Sequence, residues 1–146
     1  MKNAFLIVVL AAAALYSCGK KSEDHSGHHQ EEAQISSDPN KPLYDSVMDV
    51  HNEVMPKMGE IIKLTESLKD KVAKTPDMAP AAKQEIEAAI DSLDNASNGM
   101  MDWMHKFNPE SHSGDQAREY LKSEMARVTS VKQRMLNAIE KGKSLQ

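Results

Sequence analysis

Cysteine is nearly absent from this chain, which has a single one, Cys18, among its 146 residues. One cysteine cannot form a disulfide bond within the chain, and it cannot supply the several thiolates of a structural zinc site. Aromatic residues make up only 4% of the sequence, whereas methionine occurs ten times. The core must therefore be filled mainly by aliphatic and thioether side chains, and thioethers adapt readily to irregular gaps.

The chain also lacks a hydrophobic run long enough to span a membrane. The longest apolar run, from Ala4 to Tyr16, has thirteen residues, whereas a transmembrane helix needs about 20. Lys2 precedes this run and a small residue follows it, an order that is typical of a secretory signal peptide. We therefore expect residues 1–17 to direct export.

The segment Leu15-Tyr16-Ser17-Cys18 resembles the lipobox of bacterial lipoproteins. In those proteins the signal peptide is cleaved before the cysteine, which is then acylated. The resemblance implies that Cys18 carries the lipid anchor. The residue that follows the cysteine is Gly19 and not an aspartate. In the enterobacterial sorting pattern this implies the outer membrane, with the protein facing the periplasm or the cell surface.

Positive charge is outnumbered by negative charge. The net charge is −4, and because Lys2 is the only charged residue among residues 1–17, the mature chain carries −5. This balance argues against nucleic acid as a partner, since nucleic-acid-binding proteins present a basic patch. It also provides no attraction to anionic lipid, so we expect the acyl chains alone to hold the protein at the membrane.

Residues 18–41 contain almost no side chains that folding could bury. So few apolar groups cannot offset the conformational entropy of ordering, which predicts a disordered tether after the lipidated cysteine. His25, His28 and His29 lie in this otherwise acidic stretch. Either they bind Cu(II) or Zn(II) loosely, or they are solvated side chains without a ligand.

From residue 42 to residue 146, apolar side chains recur every seven residues in three segments, which is the pattern of packed helices. The residues before Pro76 and Pro109 end the first two segments, and no segment alternates as a strand does. The pattern predicts one all-α domain, a three-helix antiparallel up-down-up bundle. The repeating positions are Tyr44, His51, Met58, Thr65 and Val72 in the first helix, Ile86, Leu93, Met100 and Phe107 in the second, and Leu121, Val128 and Met135 in the third, interleaved there with Ala117, Val131, Ala138 and Leu145.

Three local signals refine this prediction. Pro56 lies inside the first stripe, which predicts either a simple bend or an opening beside the methionines. The pair Asn98-Gly99 does not shift the heptad phase, so the second helix should run through it. Asp77 and Ser113 are the predicted N-caps of the second and third helices, with Ser113 part of a capping box.

Methionine, histidine and tryptophan lie together at the end of the predicted bundle nearest the tether. Folding the first two helices back on each other at Pro76 places His51 opposite Trp103. Thioether and imidazole groups together select soft Cu(I) or Ag(I), and the tryptophan ring offers a cation–π face. The candidate ligands are Met48, His51, Met55, Met58, Met100, Met104 and His105.

The same residues also fit a purely structural interpretation. Methionine at heptad spacing commonly fills a helical core. A histidine at a core position, such as His51, can donate a hydrogen bond to a carboxylate such as that of Asp102 or to a backbone carbonyl. The sequence leaves a metal site and ordinary packing both open.

Enzymatic activity is not indicated by the sequence. A di-iron bundle needs a Glu-x-x-His motif on each of two helices and two further glutamates, whereas this chain has only Asp102-x-x-His105, once. There is no glycine-rich phosphate loop and no nucleophile with a nearby base. We therefore expect a protein that acts without catalysis.

The segments His51-Asn-Glu-Val-Met-Pro-Lys-Met58 and Met100-Met-Asp-Trp-Met-His105 are similar to those of a group of uncharacterised Bacteroidota lipoproteins. Some members of that group carry the label "viral A-type inclusion protein". The resemblance covers most of the bundle, and it implies a location in the cell envelope without implying an activity.

Two functions follow from these patterns. The first is a lipid-anchored helical module of the cell envelope that binds a protein partner, forms a homodimer or acts structurally, because a wide apolar face on three helices leaves a patch for a partner. The alternative is a Cu(I) or Ag(I) buffer or chaperone in the periplasm. The side chains that widen the apolar face are Met48, Met55, Ile62, Met104 and Met125.

Overall fold

The computed structural model describes residues 38–146, which form four α-helices and two short 3₁₀ turns without a strand. Helices α1 and α2 are separated only by the first turn and form one arm; α3 is the second arm and α4 the third. This confirms the predicted all-α bundle of three helical arms. The bounds are α1 Lys41–Val54, the turn Met55–Lys57, α2 Met58–Lys74, α3 Pro80–Lys106, the turn Pro109–Ser111 and α4 Gly114–Ser144.

Side-chain pairs between the arms fix their directions. Glu53 on α1 pairs with Lys132 on α4, and Asn40 just before α1 bonds Gly114 at the start of α4, so the first and third arms run parallel. In the second arm the order is reversed, since Trp103 bonds Glu124 while Glu85 pairs with Lys141. The arms therefore run up, down and up, as the heptad pattern predicts.

The core is built from the seven-residue stripes of all three arms. Leu68, Leu93, Met100, Val128 and Met135 are completely buried, and burying such a side chain stabilises the fold by about 1.5–3 kcal/mol. Helix α1 packs mainly on α4, α2 packs on α3 and α4, and α3 packs on α4. The apolar stripes are thus used almost entirely for packing between the arms.

Proline breaks the first arm at the turn Met55–Lys57. Pro56 has no N–H group, so the carbonyl of Asn52 cannot receive the usual helical hydrogen bond. The chain closes a 3₁₀ turn in which the N–H of Met58 donates to the carbonyl of Met55. Pro56 itself is exposed, and α2 resumes directly after the turn.

The two predicted N-caps were wrong in detail. Helix α3 begins at Pro80 after Ala79 rather than at Asp77, because the N–H of Met78 donates to the carbonyl of Thr75 and closes a turn first. Ser113 does occupy the N-cap position of α4, but its side chain makes no capping bond.

Helix α4 thus begins without a capping box, and its first helical hydrogen bond is made by the backbone alone. The N–H of Ala117 donates to the main-chain carbonyl of Ser113 at 3.3 Å. The chain enters α4 through Gly114 with φ of 56°, a left-handed conformation that glycine adopts without a steric penalty. By contrast, α3 does run without interruption through Asn98 and Gly99, as the unshifted heptad phase predicts.

Asn40 fastens the beginning of the packed unit. It is only 4% exposed; its side-chain amide donates to the carbonyl of Gly114 at 3.0 Å, and its side-chain carbonyl accepts from Arg118 Nε at 3.2 Å. The packed unit therefore extends to Asn40, two residues before the boundary that the sequence pattern places at Pro42.

Candidate functional site

All four phenylalanine, tyrosine and tryptophan residues in the described part of the chain lie at one end of the bundle. This is the end where α1 and α4 begin and α3 finishes. Their rings and those of two histidines form a connected series of ring contacts that branches at Phe107, which we call the aromatic ladder. Its members are His51, Trp103, Phe107, Tyr44, Tyr120 and His112.

The ladder crosses from one arm to the next. Trp103 and Phe107, one turn apart on the second arm, stack with ring centroids 4.9 Å apart. Phe107 contacts Tyr44 at 6.0 Å on the first arm and Tyr120 at 6.2 Å on the third. These are the separations at which aromatic pairs add about 0.5–1.5 kcal/mol beyond their burial, so the ladder joins the three arms at this end.

His51 lies opposite Trp103, as the helix pairing predicts, with ring centroids 5.7 Å apart. Its Nε2 atom is 3.2 Å from the sulfur of Met104, and its Nδ1 atom is 3.0 Å from the side-chain oxygen of Asn52. An imidazole nitrogen and a thioether sulfur from two different helices thus meet beside the tryptophan.

The alternative prediction, a hydrogen bond between His51 and the carboxylate of Asp102, was wrong. Asp102 accepts a hydrogen bond from Lys106 Nζ at 2.6 Å on the outer face of α3. That ammonium group also lowers the pKa of the Asp102 carboxyl below its usual range. Asp102 is therefore a surface residue that stays ionised. The polar side-chain contacts of His51 are with Met104 and Asn52.

The remaining predicted metal ligands differ in how deeply they are buried. Met100 is fully buried, and Met55 and Met58 are half-buried and pack against the core. Met48 is half-buried on α1. His105 is exposed, and its Nδ1 atom is 2.7 Å from the carbonyl of Met101 on its own helix.

The structure thus brings together three of the predicted site residues, His51, Met104 and Trp103. His105 lies apart from them on the surface of α3. The predicted lipidation site and the three tail histidines lie outside the described residues. Those residues are Cys18, His25, His28 and His29.

Glu124 is a site residue that the sequence pattern could have revealed but did not. It falls between Ala117 and Val131 at a core heptad position of α4 and is only 1% exposed. Trp103 Nε1 donates to one of its carboxylate oxygens at 2.8 Å, and Arg127 Nη1 donates to the other at 2.8 Å. A charged residue that interrupts an apolar stripe was the signal, since charged side chains are rarely buried unless paired.

The Glu124 carboxylate holds the tryptophan ring in place through its Nε1–H group. Its second partner, Arg127, is 52% exposed and joins this buried pair to the surface. An open groove of about 380 Å³ lies here between α3 and α4, beside Trp103, Arg127 and Arg134. The Trp103 ring therefore contacts both a buried carboxylate and the imidazole of His51.

Within residues 38–146, no three histidine, cysteine, aspartate or glutamate side chains form a group that could hold a metal ion. In the same residues, no helix is both long and apolar enough to cross a membrane. Among these residues, the large apolar side chains with substantial exposure are Ile62 and Met101, at 53% and 40%.

Comparison of the chain with protein-family models, curated proteins and solved structures gives no match.

Proposed function

We propose that this protein is a lipid-anchored, non-enzymatic binding module of the bacterial outer membrane, and that it binds at the end of the bundle that carries the aromatic ladder. The lipobox-like segment ending at Cys18 is the basis for the anchor. The observation that carries the binding role is the concentration of the ladder, the Glu124 carboxylate and the His51–Met104 pair at that one end.

The first candidate ligand is a protein, either an envelope partner or a second copy of this chain. Met101 supports it, because this apolar side chain is 40% exposed and lies on α3 at the same end of the bundle as the ladder, although on the face of the helix away from Trp103. Exposed apolar side chains are typical of surfaces that contact another protein. Since most of the heptad stripe is used inside the bundle, the interface would be centred on this end.

A photo-crosslinking amino acid at position 101 tests this candidate in intact cells. We expect a discrete covalent adduct, either a dimer of this chain or a complex with one partner, identified by mass spectrometry. The control is the same substitution at Ala73, an exposed position near the far end of α2. If position 101 gave no adduct, or the same products as position 73, a protein partner at this end would be refuted.

The second candidate ligand is Cu(I) or Ag(I), which would make the protein an envelope buffer or chaperone for a soft metal ion. The observation that favours it is the 3.2 Å approach of His51 Nε2 to the sulfur of Met104. These two donor types are those that soft monovalent ions prefer over Mg²⁺ or Ca²⁺.

A further inference from the structure

The proposed function places a binding site at the ladder end of the bundle, and the inference below rests on it. We infer that His51 and Met104 are the two anchoring ligands of a Cu(I) or Ag(I) site whose third side is the ring of Trp103. Glu124 is the residue that positions this ring. His105 and Met100 have no part in the site.

Donor-atom geometry is the first support. Metal–nitrogen and metal–sulfur bonds in proteins are about 2.0 and 2.3 Å long, so two donors to one ion lie no more than roughly 4.3 Å apart. His51 Nε2 and the sulfur of Met104 are 3.2 Å apart. A small rotation of the flexible thioether widens this separation enough to admit an ion between the two atoms.

Accessibility is the second support. His51 and Met104 are both half-buried, whereas Met100, one turn before Met104, is fully buried. An ion can thus reach the first two from solvent but would have to open the core to reach the sulfur of Met100. His105 is exposed with one ring nitrogen directed at the carbonyl of Met101, away from the pair.

The fixed tryptophan ring is the third support. Trp103 is 3% exposed and is tied to the buried Glu124 carboxylate through its Nε1–H group. Its ring lies next to the His51 imidazole, with ring centroids 5.7 Å apart, so an ion held by His51 lies close to the tryptophan, where a cation–π contact adds attraction. The ring is held in place before the ion arrives.

Two further thioether groups lie close to His51 in the sequence of the first arm. Met48 precedes His51 by three residues and Met55 follows it by four, which are the offsets that place side chains on one helical face. Met55 also begins the turn that Pro56 imposes, so it is not locked into a regular helix. Either methionine would complete the coordination of an ion already held by His51 and Met104.

The test uses the full-length acylated protein in detergent with the tail histidines replaced, His25→Ala, His28→Ala and His29→Ala, so that the tail contributes no binding. Cu(I) is added anaerobically in competition with a chromophoric chelator, and Ag(I) is titrated in parallel. Trp103 is the only tryptophan in the chain, so its fluorescence reports this site alone.

We expect both ions to bind with one equivalent and to quench the Trp103 emission. Met104→Leu should weaken binding at least tenfold and remove most of the quenching, while the thermal midpoint changes little because leucine conserves the volume. The matched control is Met78→Leu, a half-buried methionine before α3, roughly 35 Å along the helix from Trp103. It should bind as the parent does.

Three outcomes would overturn the inference: no Cu(I) or Ag(I) binding by the parent, equal binding by Met104→Leu, or equal losses in Met104→Leu and Met78→Leu. A crosslink at position 101 together with any of these would leave the proposed binding module standing and remove only the metal site.

Glu124→Gln separates the positioning of Trp103 from metal ligation, because the amide oxygen of the glutamine still accepts the hydrogen bond from Trp103. It should retain the ion affinity within about threefold, whereas Glu124→Leu should lose the quenching.

Discussion

At the scale of single residues, the most consequential group is the carboxylate of Glu124. Burial of a charge is costly unless the charge is paired and hydrogen-bonded, and removing one partner costs more than the pair itself contributes. Here the two oxygens have one neutral partner, Trp103, and one charged partner, Arg127. The stability of the ladder end therefore depends on an arginine that is itself half in solvent.

Replacement of that arginine gives a measurable prediction. Arg127→Met keeps the aliphatic stem but leaves the Glu124 carboxylate with Trp103 alone, and we expect a loss of about 1–2 kcal/mol in urea unfolding, a value reduced for the exposure of Arg127. Arg134→Met, an exposed arginine one heptad further along α4, should change stability by less than about 0.5 kcal/mol.

A second substitution checks the cause. Glu124→Gln removes the charge but keeps an acceptor for Trp103, so adding it to Arg127→Met should restore part of the lost stability. Equal stability of Arg127→Met and the parent protein would show that the carboxylate does not need its charged partner.

Part of this site could be predicted from the sequence, and the rest could not. His51 and Trp103 fall at matching heptad positions on adjacent antiparallel helices, so their proximity followed from period and chain reversal alone. The contact between His51 and Met104 depends on rotamers, which helical periodicity does not specify. Glu124 was overlooked because a single polar residue in an apolar stripe has no partner that is visible in the sequence.

At the scale of the elements, the heptad pattern predicted the helices well but not how they begin. Periodicity reports which face is buried, and the buried faces of α2, α3 and α4 are those of the stripes. N-caps depend instead on the backbone geometry of a few loop residues. Gly114, with its positive φ, and the turn closed by Thr75 and Met78 override the propensities of Ser113 and Asp77.

The uninterrupted course of α3 gives a second prediction, on Gly99. A methyl group there would meet only Arg134 Nη2, at 3.8 Å, and glycine inside a helix costs about 0.5–1 kcal/mol relative to alanine. We therefore expect Gly99→Ala to raise the free energy of unfolding by about that amount in urea denaturation.

Gly142 is the matched comparison, because it is also helical but buried. A methyl group there would lie 3.2 Å from Leu93 Cδ1 and 3.5 Å from Leu64 Cδ1, a tight fit where three helices meet. Gly142→Ala should raise the free energy of unfolding by less than Gly99→Ala does, or should lower it. If Gly99→Ala destabilised the protein more than Gly142→Ala, α3 would have to be locally distorted near Asn98.

At the scale of the whole molecule, the proposed lipid anchor at Cys18 precedes, along the chain, the end of the bundle that carries the aromatic ladder. The chain enters the bundle at Asn40, which is tied to Gly114 and Arg118. The aromatic ladder begins within the first turn of α1, at Tyr44. The binding end would thus be the part of the bundle closest to the membrane or to a partner standing on it.

The anchor itself gives a prediction about location. Cys18→Ser should abolish lipid labelling and normal membrane attachment, leaving uncleaved precursor or soluble protein. The mature chain's net charge of −5 does not attract anionic lipid, and stable attachment takes two acyl chains. Fractionation and labelling with an alkyne fatty acid measure this.

The folding of the bundle is the control for that experiment. The circular dichroism and thermal midpoint of residues 38–146 should not depend on acylation, since the packed unit begins at Asn40, well after the cysteine. Lipid labelling that persists in Cys18→Ser would refute the anchor.

We propose that the ladder end of this bundle holds a soft metal ion between His51 and Met104, and NMR of the methionine methyl groups tests this proposal. In protein labelled with ¹³C at the methionine methyl groups, Ag(I) should shift the Met104 signal, assigned by its loss in Met104→Leu, until one equivalent has been added. The Met78 signal should not move. If the Met104 signal did not shift, or if all methionine signals drifted together without saturating, the claim would be contradicted.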